Sequence, residues 1–168
     1  MERLIKKSSE VLIVSPYIDI YYAKFILRNS KNKRIYIISS SMDRKVKKLL
    51  EQGNFPATSL ALFLTFSFAA LIISAVGFGN FIFIFSILFL AIFLFRLKMR
   101  KPGGIKLKIP QNFVHAKLYI GNSMAIIGSA NLTYRGLHKN VEHIEIHEDL
   151  EYIKKLKEEF WRMWKEVE

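Results

Sequence analysis

The residues best suited to chemistry in this chain are His115, Lys117, Ser129 and Asn131, in the order His-x-Lys and then Gly-Ser-x-Asn. An unperturbed imidazole is largely neutral at physiological pH and can act as a nucleophile without a metal. A lysine ammonium, a serine hydroxyl and an asparagine amide can hold the oxygens of a phosphoryl group and balance their charge. The four residue types therefore point to phosphodiester chemistry, with His115 as the attacking group.

A predicted β-hairpin must position these side chains. The run 113–120 reads as a strand, which would project the histidine and the lysine, two residues apart, from one face. Gly121-Asn122 is a turn-forming pair, and the apolar run Met124–Ile127 follows it as a second strand. The far end of this hairpin would bring the serine and the asparagine beside the first strand.

A carboxylate is predicted to lie near the same place. In the run 141–147, Glu142 alternates with Ile144 and Ile146, so a strand would put the carboxylate on its apolar face. A buried carboxylate needs a partner. The other histidines, His138, His143 and His147, have no cysteines or clustered acids nearby, and we interpret them as solvated rather than as metal ligands.

At these residues the sequence resembles the phospholipase D superfamily, whose signature is His-x-Lys, an Asp five residues later, and then Gly-Ser-x-Asn. Asn122 stands at the position of the signature Asp. Relatives carry a later Glu that hydrogen-bonds the catalytic His, and Glu142 matches it. The resemblance implies an α/β fold, a phospholipase D-like half-domain with a mixed sheet flanked by helices. It also implies a phosphohistidine intermediate formed without metal or cofactor.

The chain contains one His-x-Lys signature, whereas enzymes of the resembled superfamily build an active site from two. The resemblance therefore implies a homodimer in which one His115 attacks phosphorus and the other protonates the leaving oxygen. Lys117 and Asn131 of both subunits would hold the nonbridging oxygens, Ser129 would add a hydrogen bond, and Glu142 would orient each imidazole.

The second strong feature is Ala57–Phe95, a run of 39 residues without a charge. One helix of this length would measure about 58 Å, nearly twice the ~30 Å hydrocarbon core of a membrane. A break at Gly77–Asn80 predicts two antiparallel transmembrane helices, Ala57–Val76 and Phe81–Leu97. The predicted organisation is thus 1–55, first part of the catalytic domain; 56–98, transmembrane hairpin; and 99–168, second part with the motif.

The distribution of charged residues indicates where the protein lies in the cell and what class of substrate it binds. Lys and Arg flank both ends of the apolar run, which by the positive-inside rule predicts an integral membrane protein with its catalytic domain on the cytoplasmic side. The absence of cysteine agrees with that compartment. The net charge of +12 favours a polyanionic partner. Lys106 and Lys108, further from the predicted helices, are candidate substrate-binding residues.

Three functions stay open on the sequence. The first is a membrane-anchored, metal-independent endonuclease. The second is a phospholipase D or phosphatidyl transferase that acts on membrane headgroups. The third is a catalytically inactive membrane scaffold, which Asn122 keeps open.

Outside the apolar run, alternating patterns predict further elements: strands at Val11–Ser15, Arg34–Ser39 and Ile105–Ile109, and helices at Asp19–Leu27, Asp43–Gln52 and a C-terminal amphipathic segment from Leu150 to Val167.

Overall fold

A computed structural model describes residues 1–52 and 104–167. The described elements, in chain order, are α1 Glu2–Lys7, β1 Glu10–Val14, α2 Ile20–Asn29, β2 Arg34–Ile38, α3 Arg44–Gln52, β3 Gly104–Lys108, β4 Leu118–Ile120, β5 Ala125–Gly128, α4 Tyr134–His138, β6 Ile144–His147 and α5 Leu150–Glu166. The predicted transmembrane helices lie outside the described residues. Within the described ranges, no helix has the length and apolar character needed to span a membrane.

Six strands form one mixed sheet in the order β3-β2-β1-β4-β5-β6. The pairs β1/β2 and β2/β3 are parallel, whereas β1/β4, β4/β5 and β5/β6 are antiparallel. Val14 at the end of β1 pairs with Leu118 at the start of β4. The carboxyl ends of the parallel strands and the start of β4 therefore share one edge of the sheet, which we call the motif edge.

Apolar side chains cover both faces of the sheet. On one face Val11, Ile13, Ile35 and Ile37 pack with residues of α1, α2 and α3. On the other face Leu12, Val14 and Ile38 pack with Ile153 and Phe160 of α5. Burial on both faces explains why Val11–Val14 of β1 is a continuous run of Val, Ile and Leu and why β2 is rich in isoleucine. The predicted mixed sheet flanked by helices is confirmed.

Local signals in the sequence explain where the helices begin. The Asp19 side chain accepts a hydrogen bond from the Tyr22 backbone N–H at 2.9 Å and caps α2. Asp149 accepts from the Tyr152 N–H at 2.7 Å and caps α5 in the same way. The predicted strands and helices before the apolar run, β3 and the C-terminal helix are all present, with ends that differ by one or two residues.

The predicted strand over residues 113–120 is wrong in its first part, because β4 comprises Leu118–Ile120 only. Its neighbour β1 ends at Val14 and leads into Pro16, so on this side residues 113–117 have no strand to pair with among the described residues. His115 and Lys117 therefore lie on a loop that leads into β4, rather than on one face of a strand.

Candidate active site

The loop that carries His115 is fixed to the sheet by Ser40, which follows β2. The Val114 N–H donates to Ser40 Oγ at 2.7 Å, and the Ser40 hydroxyl donates to the Val114 carbonyl at 3.0 Å. These two hydrogen bonds hold the backbone at Val114 in place, where pairing with a neighbouring strand was expected to hold it. Sequence reasoning missed Ser40; the polar Ser39-Ser40-Ser41 run at the end of a buried strand was the available signal.

His115 and Lys117 contact each other directly. The Lys117 Nζ lies 3.1 Å from His115 Nδ1 and 3.2 Å from Nε2, and it donates to the His115 carbonyl at 2.8 Å. Lys117 is only 9% exposed, whereas His115 is exposed. The aliphatic part of Lys117 is buried and its ammonium is held beside the imidazole. The ammonium is therefore well placed to bind an anion that approaches His115.

Ser129 connects the end of β5 to the chain that enters β6. Its N–H donates to the His143 carbonyl at 2.9 Å, and its Oγ accepts from the His143 N–H at 3.0 Å. Gly128 is required by this close approach, because a Cβ on it would stand 2.0 Å from the His143 carbonyl oxygen. The glycine and the serine of the Gly-Ser-x-Asn motif thus have a shared structural role at the β5/β6 junction.

Glu142 is partly exposed and precedes β6, so its predicted place on the buried face of a strand is wrong. The alternation of Ile144 and Ile146 misled the prediction because β6 is an edge strand on which both residues are exposed. The Glu142 carboxylate accepts hydrogen bonds from the Ser129 hydroxyl at 2.5 Å and from Asn140 Nδ2 at 3.0 Å. It does not hydrogen-bond His115, which was the expected partner.

The environment of Glu142 nevertheless connects it to the candidate site. The Ser129 and Asn140 hydrogen bonds, followed by the nearby charge of Lys117, hold the pKa of the Glu142 carboxyl below its usual range. Glu142 is therefore ionised at neutral pH. The structure brings together His115 with Lys117, and Ser129 with Glu142, at the motif edge.

Asn131 lies on a loop that two buried side chains hold in place. The Tyr119 hydroxyl donates to the Ala130 carbonyl at 2.7 Å, and the Leu132 N–H donates to Ser15 Oγ at 2.9 Å. Burial raises the pKa of Tyr119, which keeps its hydroxyl protonated as a donor. The Asn131 Oδ1 is buried and has no hydrogen-bond partner among the described residues. Ser15 and Tyr119 are positioning residues that the sequence did not single out.

Asn122, at the position of the signature Asp, lies at the opposite end of β4 from His115. Its Oδ1 accepts from the Glu10 N–H at 3.2 Å, its Nδ2 donates to Ser9 Oγ at 2.9 Å, and its N–H donates to Ser8 Oγ at 3.1 Å. These contacts tie the β4/β5 turn to the chain that enters β1. The replacement therefore falls in a structural turn, outside the candidate site.

Lys106 and Lys108 lie on β3, which β2 and β1 separate from β4 in the sheet. The Lys108 ammonium donates to the Trp164 carbonyl at 2.8 Å and lies 5.3 Å from the centroid of the Trp164 ring, so it binds the carboxyl-terminal end of α5. Lys106 lies 5.5 Å from the centroid of the Tyr36 ring. The structure does not bring either lysine to His115.

No group of three or more His, Asp or Glu side chains within residues 1–52 and 104–167 is arranged to hold a metal ion. His143 and His147 both face Glu145, with Nε2 to carboxylate distances of 3.0 and 3.3 Å. These contacts hold the pKa of the Glu145 carboxyl below its usual range.

Comparison with known proteins gives consistent matches. Residues 95–164 match the family described as "Cardiolipin synthase, PLD-like domain". Mitochondrial cardiolipin hydrolase of Mus musculus is 32% identical over 76 residues, which are 44% of this chain and 34% of the relative. The match thus spans about a third of that relative's length.

Two solved structures share the fold. The first is Nuc of Salmonella typhimurium, described as a phospholipase D family member, with a TM-score of 0.54 and 17% identity over 98% of this chain and 84% of the other. The second is NucT of Helicobacter pylori, with a TM-score of 0.54, 15% identity and the same coverage. Residues 95–164, which carry the motif, are thus similar to a phospholipase D-like domain, and the mixed sheet has the fold of these two structures.

Proposed function

We propose that this chain is a metal-independent phosphodiesterase that cleaves nucleic acid through a phosphohistidine intermediate on His115. The observation that carries the proposal is the contact between an exposed imidazole and the confined ammonium of Lys117 at the motif edge. A phosphoryl group bound there would have a nucleophile and a cation on the same side. Ser129 and Asn131 lie on the segment that follows β5 in the same subunit, and their hydroxyl and amide supply further hydrogen bonds.

In the first step a ring nitrogen of His115 attacks phosphorus, a P–N bond forms and the P–O bond to the leaving group breaks. A general acid protonates the leaving oxygen. In the second step the general acid, now deprotonated, accepts a proton from water as the water oxygen attacks phosphorus, the P–N bond breaks, and His115 returns to its neutral form. Lys117 balances the charge on the nonbridging oxygens, while the ionised Glu142 holds the Ser129 hydroxyl.

The general acid is the His115 of a second copy in a symmetric homodimer. The presence of one His-x-Lys motif supports this proposal. Further support comes from β6, an edge strand with no neighbour on its outer side among the described residues, on which Ile144 is 41% and Ile146 60% exposed. Exposed apolar residues on a free strand edge are typical of a surface that pairs with another chain. β6 is also next to Ser129, so a partner bound there would lie close to the site.

Two substrates carry the same phosphodiester chemistry. The charge of +12 supports a polyanion such as nucleic acid. The names of the matched family and of the mouse relative refer to cardiolipin, and they support the alternative of a phospholipid headgroup. The apolar run 57–95 supports attachment to a membrane with the domain on the cytoplasmic side. An inactive scaffold is the third alternative.

One experiment distinguishes these functions. The purified full chain, in nanodiscs with and without a chelator, is given single-stranded DNA, duplex DNA, RNA and labelled phospholipids in parallel. We expect cleavage of nucleic acid that His115→Ala lowers at least about a thousandfold, because the variant has no nucleophile. His138→Ala, an exposed histidine of α4, is the matched control and should keep its activity.

The outcomes are separable. Release of headgroups with no cleavage of nucleic acid would make the nuclease assignment wrong. Turnover that survives in His115→Ala would contradict the phosphohistidine step, and activity that disappears with the chelator would contradict metal independence. No turnover of any substrate by the wild type would favour the scaffold.

A further inference from the structure

Two exposed aromatic rings lie beside the candidate nucleophile. Tyr17 is 45% and Phe113 55% exposed. Their ring centroids are 6.0 Å apart, and the Phe113 ring lies 6.1 Å from the His115 imidazole. A single exposed ring on a surface is ordinary, but two that adjoin an exposed imidazole form a contiguous surface that a ligand can use.

The backbone beneath these rings is held firmly. Ser40 fixes the chain at Val114, next to Phe113, through two hydrogen bonds. The Tyr17 carbonyl accepts from the Ser15 hydroxyl at 2.9 Å, and Tyr17 forms a bridge with Ser41. The rings are therefore presented to solvent from a fixed backbone, which lowers the entropy lost when a flat ligand binds.

Cations lie on the chain that leaves this surface. Arg44 and Lys45 begin α3, three and four residues after the Ser41 bridge, and both are exposed. Neither forms an ion pair with another described residue. The adjacent Asp43 carboxylate accepts the Lys45 backbone N–H at 2.7 Å. Exposed rings beside a reactive centre, with exposed cations on an adjacent segment, are a combination that proteins use for single-stranded nucleic acid.

We propose that Tyr17 and Phe113 form a stacking surface for unpaired bases next to the scissile phosphate, with Arg44 and Lys45 contacting phosphates further along the strand. The proposal rests on the proposed function and deepens it, because it makes single-stranded nucleic acid the preferred substrate. Bases in a duplex are stacked on each other, and their faces cannot reach these rings. A membrane surface is the competing partner that the experiment must separate.

The test compares the double variant Tyr17→Leu/Phe113→Leu with the wild-type full chain. The substrates are a single-stranded oligonucleotide, the same strand with abasic residues beside the scissile phosphate, and a duplex. We expect KM for the intact strand to rise about tenfold with little change in kcat, since stacking contributes binding. Cleavage of the abasic strand should be equal in both proteins, and the wild type should prefer the single strand to the duplex.

Two further variants protect this test against misfolding. Tyr17→Phe keeps the ring and should retain the wild-type KM. Tyr152→Leu, which removes a ring 38% exposed at the start of α5, is the matched control and should change nothing. An equal loss on intact and abasic strands, or an unchanged KM in the double variant, would overturn the stacking surface alone. A wild type that hydrolyses only phospholipid would overturn both the surface and the nucleic acid assignment.

Discussion

Lys117 has different partners available before and after an anion binds. In this structure its ammonium contacts the His115 ring and donates to the His115 carbonyl. A phosphoryl oxygen is a stronger, charged acceptor than an imidazole nitrogen. When a phosphodiester binds, we expect the ammonium to move from the ring to the phosphoryl group, which frees a ring nitrogen for attack. The same side chain thus links substrate binding to exposure of the nucleophile.

Asn122 can be tested directly against the Asp of the family signature. Because it contacts Ser8, Ser9 and Glu10 at the far end of β4, Asn122→Asp should leave kcat and KM within about twofold of the wild type. Steady-state kinetics on the preferred substrate checks this. Lys117→Ala is the comparison variant at the motif edge and should lose most of the activity. A gain of tenfold or more in Asn122→Asp would show that the signature carboxylate acts in catalysis.

At the scale of elements, β4 also holds a loop that lies outside the strand. Tyr119 in β4 holds the loop of Asn131 through the Ala130 carbonyl. Tyr119→Phe would leave that carbonyl without its donor, which costs about 1–3 kcal/mol of unfolding free energy. We therefore expect a lower denaturant midpoint together with a reduced kcat, because Asn131 is no longer held.

The matched control for Tyr119→Phe is Tyr36→Phe in β2. Tyr36 is only partly buried, and the loss of its hydroxyl should change the denaturant midpoint little. Both variants are compared by denaturant unfolding and by kinetics. If Tyr119→Phe unfolds and reacts as Tyr36→Phe does, the hydroxyl does not position the Asn131 loop.

At the scale of the whole molecule, the proposed dimer makes a quantitative prediction. Wild-type chains mixed and exchanged with an equal amount of His115→Ala chains should pair at random. If each site needs two His115 side chains, the activity per wild-type chain should fall to about half. Titration of the variant into a fixed amount of wild type, after exchange in detergent, measures this. Activity per wild-type chain that stays constant would show that a single chain contains a complete site.

Most of the fold could be predicted from the pattern of apolar residues. Most of β1 is a continuous run of branched apolar residues, β2 is rich in isoleucine, and α5 has a clear helical period. These signals are local, so they can be read from neighbouring residues alone. The length of β4 and the exposure of β6 could not be read in this way, because each depends on which strand lies beside it.

The sequence by itself determined which reactive groups the chain offers, a histidine, a lysine, a serine and an asparagine in an order that points to phosphodiester chemistry. Tertiary structure alone decided their partners. Glu142 hydrogen-bonds Ser129 instead of His115, and Asn122 lies in a turn away from the candidate site. Lys108 binds the end of α5, and Tyr17 and Phe113 lie together beside the imidazole. The physical reason is that residue type sets what a side chain can donate, accept or attack. Which group it meets depends on contacts between segments far apart in the chain.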